Sequence, residues 1–206
     1  MPFTHLTSRQ FDALREISSI GMGHAGTALS QLLDDPITLH VPRVSVTDIA
    51  DVPDLLGGAE NLVVGVTLQV LGDARGHILL VFPSDSAHRL ISRLLRQDPA
   101  GLLQDELGVS TLKEVGNILA SAYLNALGAL MHMTLIPSVP MISYDMAGAV
   151  VDFLLIELSE SGDKALTVET EFRGSDIDPE PIRGHFFLLP DPASLSVILE
   201  SVGGGR

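Results

Sequence analysis

The 206-residue sequence has no cysteine and no tryptophan, and aromatic residues make up only 4% of it. Without cysteine, disulfides, thiolate nucleophiles, iron–sulfur clusters and cysteine-ligated zinc are all excluded. Positive charge is also scarce. Twelve lysines and arginines stand against 26 acidic residues, a formal net charge of −14 with neutral histidines. Phosphate backbones and anionic headgroups repel such a chain, which argues against nucleic-acid and membrane-surface partners and for protein partners with a basic rim. The amino terminus, MPFTHLTSRQFDALREI, has no basic stretch leading into an apolar one, so a cytoplasmic location is expected. One long uncharged run, 115–136, is interrupted by Asn117, Ser121, Asn125 and His132 and reads as a buried helix rather than a membrane span.

Hydrophobic residues at 46% and charged residues at 18% describe a folded globular chain. A capping box at Thr7-x-x-Gln10 opens a first helix, whose apolar face is Phe11, Leu14, Ile17, Ile20, Ala25, Leu29 and Leu32. Residues 37–47 are rich in β-branched types and read as a strand broken or edged by Pro42. An irregular or partly helical link covers 48–60. A hairpin follows, with Val64, Val66, Leu68 and Val70 alternating before Gly72-Asp73 and a return over His77 to Phe82. A helix to about Arg96 and a linker over 97–109 complete the first half.

The second half repeats this plan. A helix from about Ser110 to Met131 precedes a strand-like TLIPSVPMISY, an alternating stretch through Leu166 to Phe172, a loop over 173–182, a return strand and a last helix. Residues 146–158 fit strand or helix on periodicity, and their place opposite the link 48–60 favours helix. Asp12, Glu16, Ser19 and Pro42 recur as Ser110, Glu114, Asn117 and Pro140 at a constant offset of 98. Arg75-Gly76-His77 is matched with Arg183-Gly184-His185 at an offset of 108, as though ten residues entered the intervening hairpin loop. The expected fold class is α/β of the α+β type. It is a pseudo-twofold, duplicated helix–strand–link–hairpin–helix unit, with an antiparallel sheet of about six strands flanked by helices. The repeats, about 7–97 and 105–203, are read as one domain over 1–206, because neither half can bury its own sheet edge.

Most familiar catalytic equipment is missing. No G-x-S-x-G elbow and no G-x-x-x-x-G-K-[ST] loop occurs. The seven histidines show no pair at the i, i+3 or i, i+4 spacing that joins two imidazoles on one helix face, so structural or surface roles are expected and no metal site is assigned. Gly21-x-Gly23-x-x-Gly26 matches a dinucleotide-binding string, but it lies inside a helical pattern rather than between a strand and a helix start. Close packing against the sheet or the twin helix is the better reading. What remains is the doubled polar set on the long helices. Glu114 and Asn117, three apart, emerge on one helix face with Ser110 one turn earlier. Thr111-x-x-Glu114 also fits a capping box, so capping and chemistry both stand as roles for Glu114.

A D/S-x-x-x-E-x-x-N segment, then twenty-two residues and a proline, resembles the signature of the CheC-type chemotaxis phosphatases (the CheC, CheX and FliY phosphatase family). Ser110, Glu114, Asn117 and Pro140 fit it at every position, and LKEVGNILASAYLNAL, DMAGA and the two RGH strands extend the likeness over nearly the whole chain. In the first copy Asp12, Glu16 and Pro42 fit, but Ser19 stands where the family has asparagine. The resemblance implies a phosphatase of phosphorylated CheY in two-component signalling. Asn117 would orient the attacking water and Glu114 would dock on a lysine of the response regulator. The partner would supply Mg²⁺, and this chain would need no cofactor of its own. It also implies CheD as a possible second partner. The alternative is a non-catalytic adaptor of the same fold that binds a response regulator or regulates CheD.

Overall fold

The first capping box forms as read. Gln10 Oε1 accepts from the Thr7 amide at 2.9 Å and from its hydroxyl at 3.0 Å, and the Gln10 amide donates to Thr7 Oγ1 at 3.3 Å. Helix α1 (Ser8–Leu33) leads to strand β1 (Thr38–Asp48), a 3-10 turn (Ile49–Asp51) and the short helix α2 (Val52–Leu55). Strands β2 (Leu62–Gly72) and β3 (Gly76–Pro83) form the hairpin, and α3 (Ser84–Leu95) follows. The second half runs α4 (Glu106–Met131), β4 (Leu135–Pro137), β5 (Met141–Met146), α5 (Ala147–Glu157), β6 (Lys164–Arg173), β7 (Ile182–Pro190) and α6 (Pro192–Gly203). The computed structural model describes residues 6–33, 36–96, 103, 105–157, 164–173 and 181–203. Much of the expected linker over 97–109 and of the loop over 173–182 lies outside them. The ambiguous stretch 146–158 is helical, as its place in the repeat suggests.

One boundary differs from expectation and matters for the site. Helix α4 starts at Glu106, a turn before Ser110, because Asp105 takes the extended backbone of an N-cap and its carbonyl accepts from the Val109 amide at 3.0 Å. Thr111 therefore sits inside the helix, and its hydroxyl donates to the Leu107 carbonyl at 2.8 Å. There is no capping box at Thr111–Glu114, so Glu114 is not consumed by helix initiation.

All strand pairs are antiparallel, in the order β1–β6–β7–β3–β2–β4, with β5 also on the outer side of β2. The seven described strands thus occupy six positions. The first strand of each half leaves its own hairpin and joins the other's, so β1 edges β6 while β4 and β5 edge β2. Each edge is interrupted at its proline. The β1 register shifts between His40 and Arg43, around Pro42, and Pro140 falls in the break between β4 and β5. The pairing also corrects one equivalence. Arg43 and Met141 hold matching places and face Glu169 and Thr67, whose hairpin partners are His185 and Leu79. His185 is therefore the counterpart of Leu79, not of His77; the shared RGH string sits two residues out of structural register.

The sheet has two covered faces. Leu14, Leu29, Leu112, Leu119 and Tyr123 of α1 and α4 pack with Val64, Val66, Leu80, Val168 and Phe186 in the larger core, together with residues of α3 and α6. A smaller cluster on the other face joins Val52, Leu56, Val150 and Val151 of α2 and α5 to Val63, Leu79, Val81 and Phe187. Helices α1 and α4 touch closely, since a Cβ on Gly21 would lie 2.9 Å from Tyr123 Cα. A Cβ on Gly26 would lie 3.2 Å from the Leu39 amide nitrogen, whereas Gly23 faces open space. Packing thus accounts for two glycines of the GMGHAG string. Two residues of the expected apolar face of α1, Ile20 and Leu32, are exposed at 46% and 58%.

Candidate active site

Helix α4 presents Ser110, Glu114 and Asn117 from one side. Ser110 and Glu114 are exposed, and Asn117 is half-buried. Between the last two, Gly116 seats the helix on the sheet; a Cβ there would come within 2.6 Å of Val66 Cγ1. Val115 and Leu119 are buried beside it. The backbone carrying Glu114 and Asn117 is held by the core, while neither side chain bonds to another described residue. That combination of a rigid base and uncommitted polar groups suits positioning of an external reactant.

The α1 set has the same placement and different chemistry. Asp12, Glu16 and Ser19 are all exposed. Ser19 turns its hydroxyl back onto its own helix, donating to the Arg15 carbonyl at 3.0 Å. Ser18 occupies the place of Gly116, is fully buried, and donates to the Leu14 carbonyl at 2.8 Å. Ser18 is the polar neighbour of the Tyr123 phenol, whose pKa burial pushes up to about 12 against the smaller opposing effect of Ser18. With the Ser18 hydroxyl committed to Leu14, the Tyr123 hydroxyl has no partner among the described residues.

Because α1 and α4 run antiparallel, the two sets lie at opposite ends of the helix pair. Glu16 lines a groove with Ile20, His24, Asn125 and Leu130. Glu114 lines another with Leu29, Leu32, Leu94 and Leu95. Glu114 and Leu130 are more than four turns apart on α4, roughly 24 Å at the helical rise. Neither groove is lined by a motif proline. Pro42 borders a separate polar cavity with Glu169, Glu171, Arg183 and His185, on the sheet face that carries α2 and α5. In that cavity Glu171 pairs with Arg173 at 2.8 Å and Arg183 at 3.6 Å. Burial lowers the His185 pKa, opposed by Glu169 and reinforced by Arg183. Among the described residues no group of three or more histidines and carboxylates is placed to hold a metal ion, and no helix is long and apolar enough to cross a membrane. The sequence reading missed the two grooves. The signal available for them was the pair of leucines, Leu32 and Leu130, near the ends of the two long helices.

The swapped six-position sheet with paired long helices places the protein in a known structural class. FliY of Thermotoga maritima matches it with a TM-score of 0.74, covering 98% of this chain and 99% of that one at 18% identity. The FliM middle domain of H. pylori matches with a TM-score of 0.65, covering 95% and 99% at 12% identity. These likenesses show that the chain shares the fold of FliY and of the FliM middle domain. No protein-family model matches the chain. The CheY-P phosphatase CheC of Bacillus subtilis (strain 168) is 36% identical over 204 residues, 98% of this chain and 97% of its own length. The chain belongs to the CheC family.

Proposed function

We propose that this chain is a cytoplasmic phosphatase that hydrolyses the phosphoaspartate of a CheY-type response regulator at the Ser110–Glu114–Asn117 face. The free Glu114–Asn117 pair on a core-anchored helix carries this reading, in a chain 36% identical to a CheY-P phosphatase. Phosphoaspartate is an acyl phosphate with a good leaving group, so the task is to place a water for in-line attack. Asn117 Oδ1 accepts a hydrogen bond from that water, and its amide nitrogen donates to a phosphoryl oxygen or to the water. The water oxygen bonds to phosphorus as the bond to the aspartyl oxygen breaks, releasing inorganic phosphate and the partner's free carboxylate. The response regulator supplies Mg²⁺ and a lysine, and Glu114 pairs with that lysine to set the approach. Fixing one water and one direction is worth about 3 kcal/mol, roughly a hundredfold in rate.

The test is phosphate release from a phosphorylated CheY with and without this protein. Asn117→Ala is expected to remove most turnover with little change in KM, and Glu114→Ala to raise KM. Since Glu114 caps nothing, its loss acts through docking. A large rise in KM for Asn117→Ala at unchanged kcat would reverse these roles.

A further inference from the structure

Beside Glu114, a cleft of about 240 Å³ opens between the end of α1 and the start of α4. Leu29 and Leu32 of α1 and Leu94 and Leu95 of α3 form its walls, and Ser110 and Glu114 stand at its lip. Thr111 and Val115 also line it, so it extends around α4 from Ser110 and Glu114 on the side of Glu114 away from Asn117, given the rotation of 100° per residue. Leu32 is 58% exposed, an apolar surface with no cover among the described residues.

We infer that this cleft receives one apolar side chain from the response regulator, next to its phosphorylated aspartate, and so selects which regulator is dephosphorylated. The inference rests on the function proposed above and adds a specificity pocket to it. Three observations support it. The cleft shares Ser110 and Glu114 with the reactive face, so a protein that brings phosphate to Asn117 and a basic group to Glu114 must cover the cleft mouth. Its volume suits a single leucine, methionine or phenylalanine and falls below the roughly 300 Å³ at which small-molecule pockets begin. Finally, the pseudo-twofold builds a related, wider groove of about 390 Å³ at Glu16, with Leu130 in the place of Leu32 and Ile17 in that of Val115 but lined by α1 and α4 alone, although Ser19 lacks the amide. Groove and amide therefore vary separately within one molecule, as docking and chemistry would.

The experiment uses the full chain with a CheY-type regulator, phosphorylated by acetyl phosphate for turnover and loaded with beryllofluoride for binding. Leu32→Asp should raise both KM and Kd about ten- to a hundredfold, the worth of burying one leucine side chain, with kcat within twofold. Leu32→Met should restore wild-type values. Thr111→Phe, which fills the cleft without removing any apolar wall, should raise KM in the same way. Phe153→Asp, a comparably exposed position on the opposite face of the sheet, should change neither constant. Unchanged KM for both Leu32→Asp and Thr111→Phe, with Asn117→Ala inactive, overturns the cleft and leaves the phosphatase reading intact. A lower kcat at constant KM, or a change of oligomeric state in sedimentation, also overturns it by assigning Leu32 to positioning or to a second copy of this chain. A wild-type protein that neither binds nor turns over the regulator defeats the proposed function itself.

Discussion

Helices α1 and α4 hold equivalent places on the same sheet, each with an exposed glutamate beside an apolar groove, yet their polar sets differ in availability. On α4, Asn117 carries an uncommitted carboxamide on a backbone pinned through Gly116 to Val66. On α1, the hydroxyl of Ser19 is spent on the Arg15 carbonyl, and buried Ser18 fills the place of Gly116. The contrast shows how a duplicated fold can separate two tasks. The grooves are built by the packing of the two long helices, whereas the half-buried Asn117 amide bonds to no other described residue. On the function proposed above, chemistry can be lost from one half without disturbing the fold.

The sharpest way to break the comparison is to exchange the residue that distinguishes the halves. In an Asn117→Ala background, turnover should fall about a hundredfold, the worth of the oriented water. Adding Ser19→Asn should return a measurable part of it, because Glu16 and its groove are already in place. Phosphate release from a phosphorylated CheY reads both changes. If Asn117→Ala alone keeps about half the wild-type rate, Ser19 already works as well as asparagine. If Ser19→Asn restores nothing, the α1 face has lost more than its amide.

A smaller effect is expected where the two helices meet. Gly21→Ala would drive a Cβ to 2.9 Å from the Tyr123 backbone, so α1 and α4 must separate. The expected loss is roughly 1–3 kcal/mol of stability, read as a lower melting temperature. Gly23→Ala, two residues away and facing open space, should instead stabilise α1 by about 0.5–1 kcal/mol through reduced chain entropy. Equal destabilisation by both would mean that the close approach at Gly21 is not what holds the helices in register.

The smallest effect concerns His185, the counterpart of Leu79 in the other half. Burial lowers its pKa in the folded protein below the ordinary 6.5 of the unfolded chain. As the pH falls through 6.5 the unfolded state takes up the proton first, so this contribution to stability is complete above 6.5 and is lost between 6.5 and the lower folded value. Melting temperatures recorded from pH 7.5 to 5 should fall less steeply for His185→Leu than for the wild type. An identical slope would show that His185 does not titrate differently on folding.

Much of this was legible in the residues. The constant spacing of Glu16 and Glu114, and of Pro42 and Pro140, exposed the duplication. Strict alternation in Val64 to Val70 marked a half of the hairpin, and the Thr7 capping box set the start of α1. Where the reading slipped, non-local geometry was responsible. Thr111 and Glu114 satisfy a capping pattern, but Asp105 nucleates the helix a turn earlier. The RGH strings align as text, yet the repeat register depends on which residues face the edge strands, and this makes His185 the counterpart of Leu79. Ile20 and Leu32 carry the helical period and are still exposed, since period alone does not say how far a neighbouring helix reaches.

By itself the sequence determined the order of the elements, the doubling of the unit and the residue types at the proposed reactive face, because spacing and side-chain chemistry are local properties. Only the tertiary structure decided that each half lends its first strand to the other's hairpin, that the antiparallel crossing at Gly21 and Tyr123 sets the two glutamates at opposite ends, and that Ser19 spends its hydroxyl while Asn117 stays free. These depend on contacts between residues far apart in the chain and on hydrogen bonds chosen among competing partners. A linear pattern does not encode that choice.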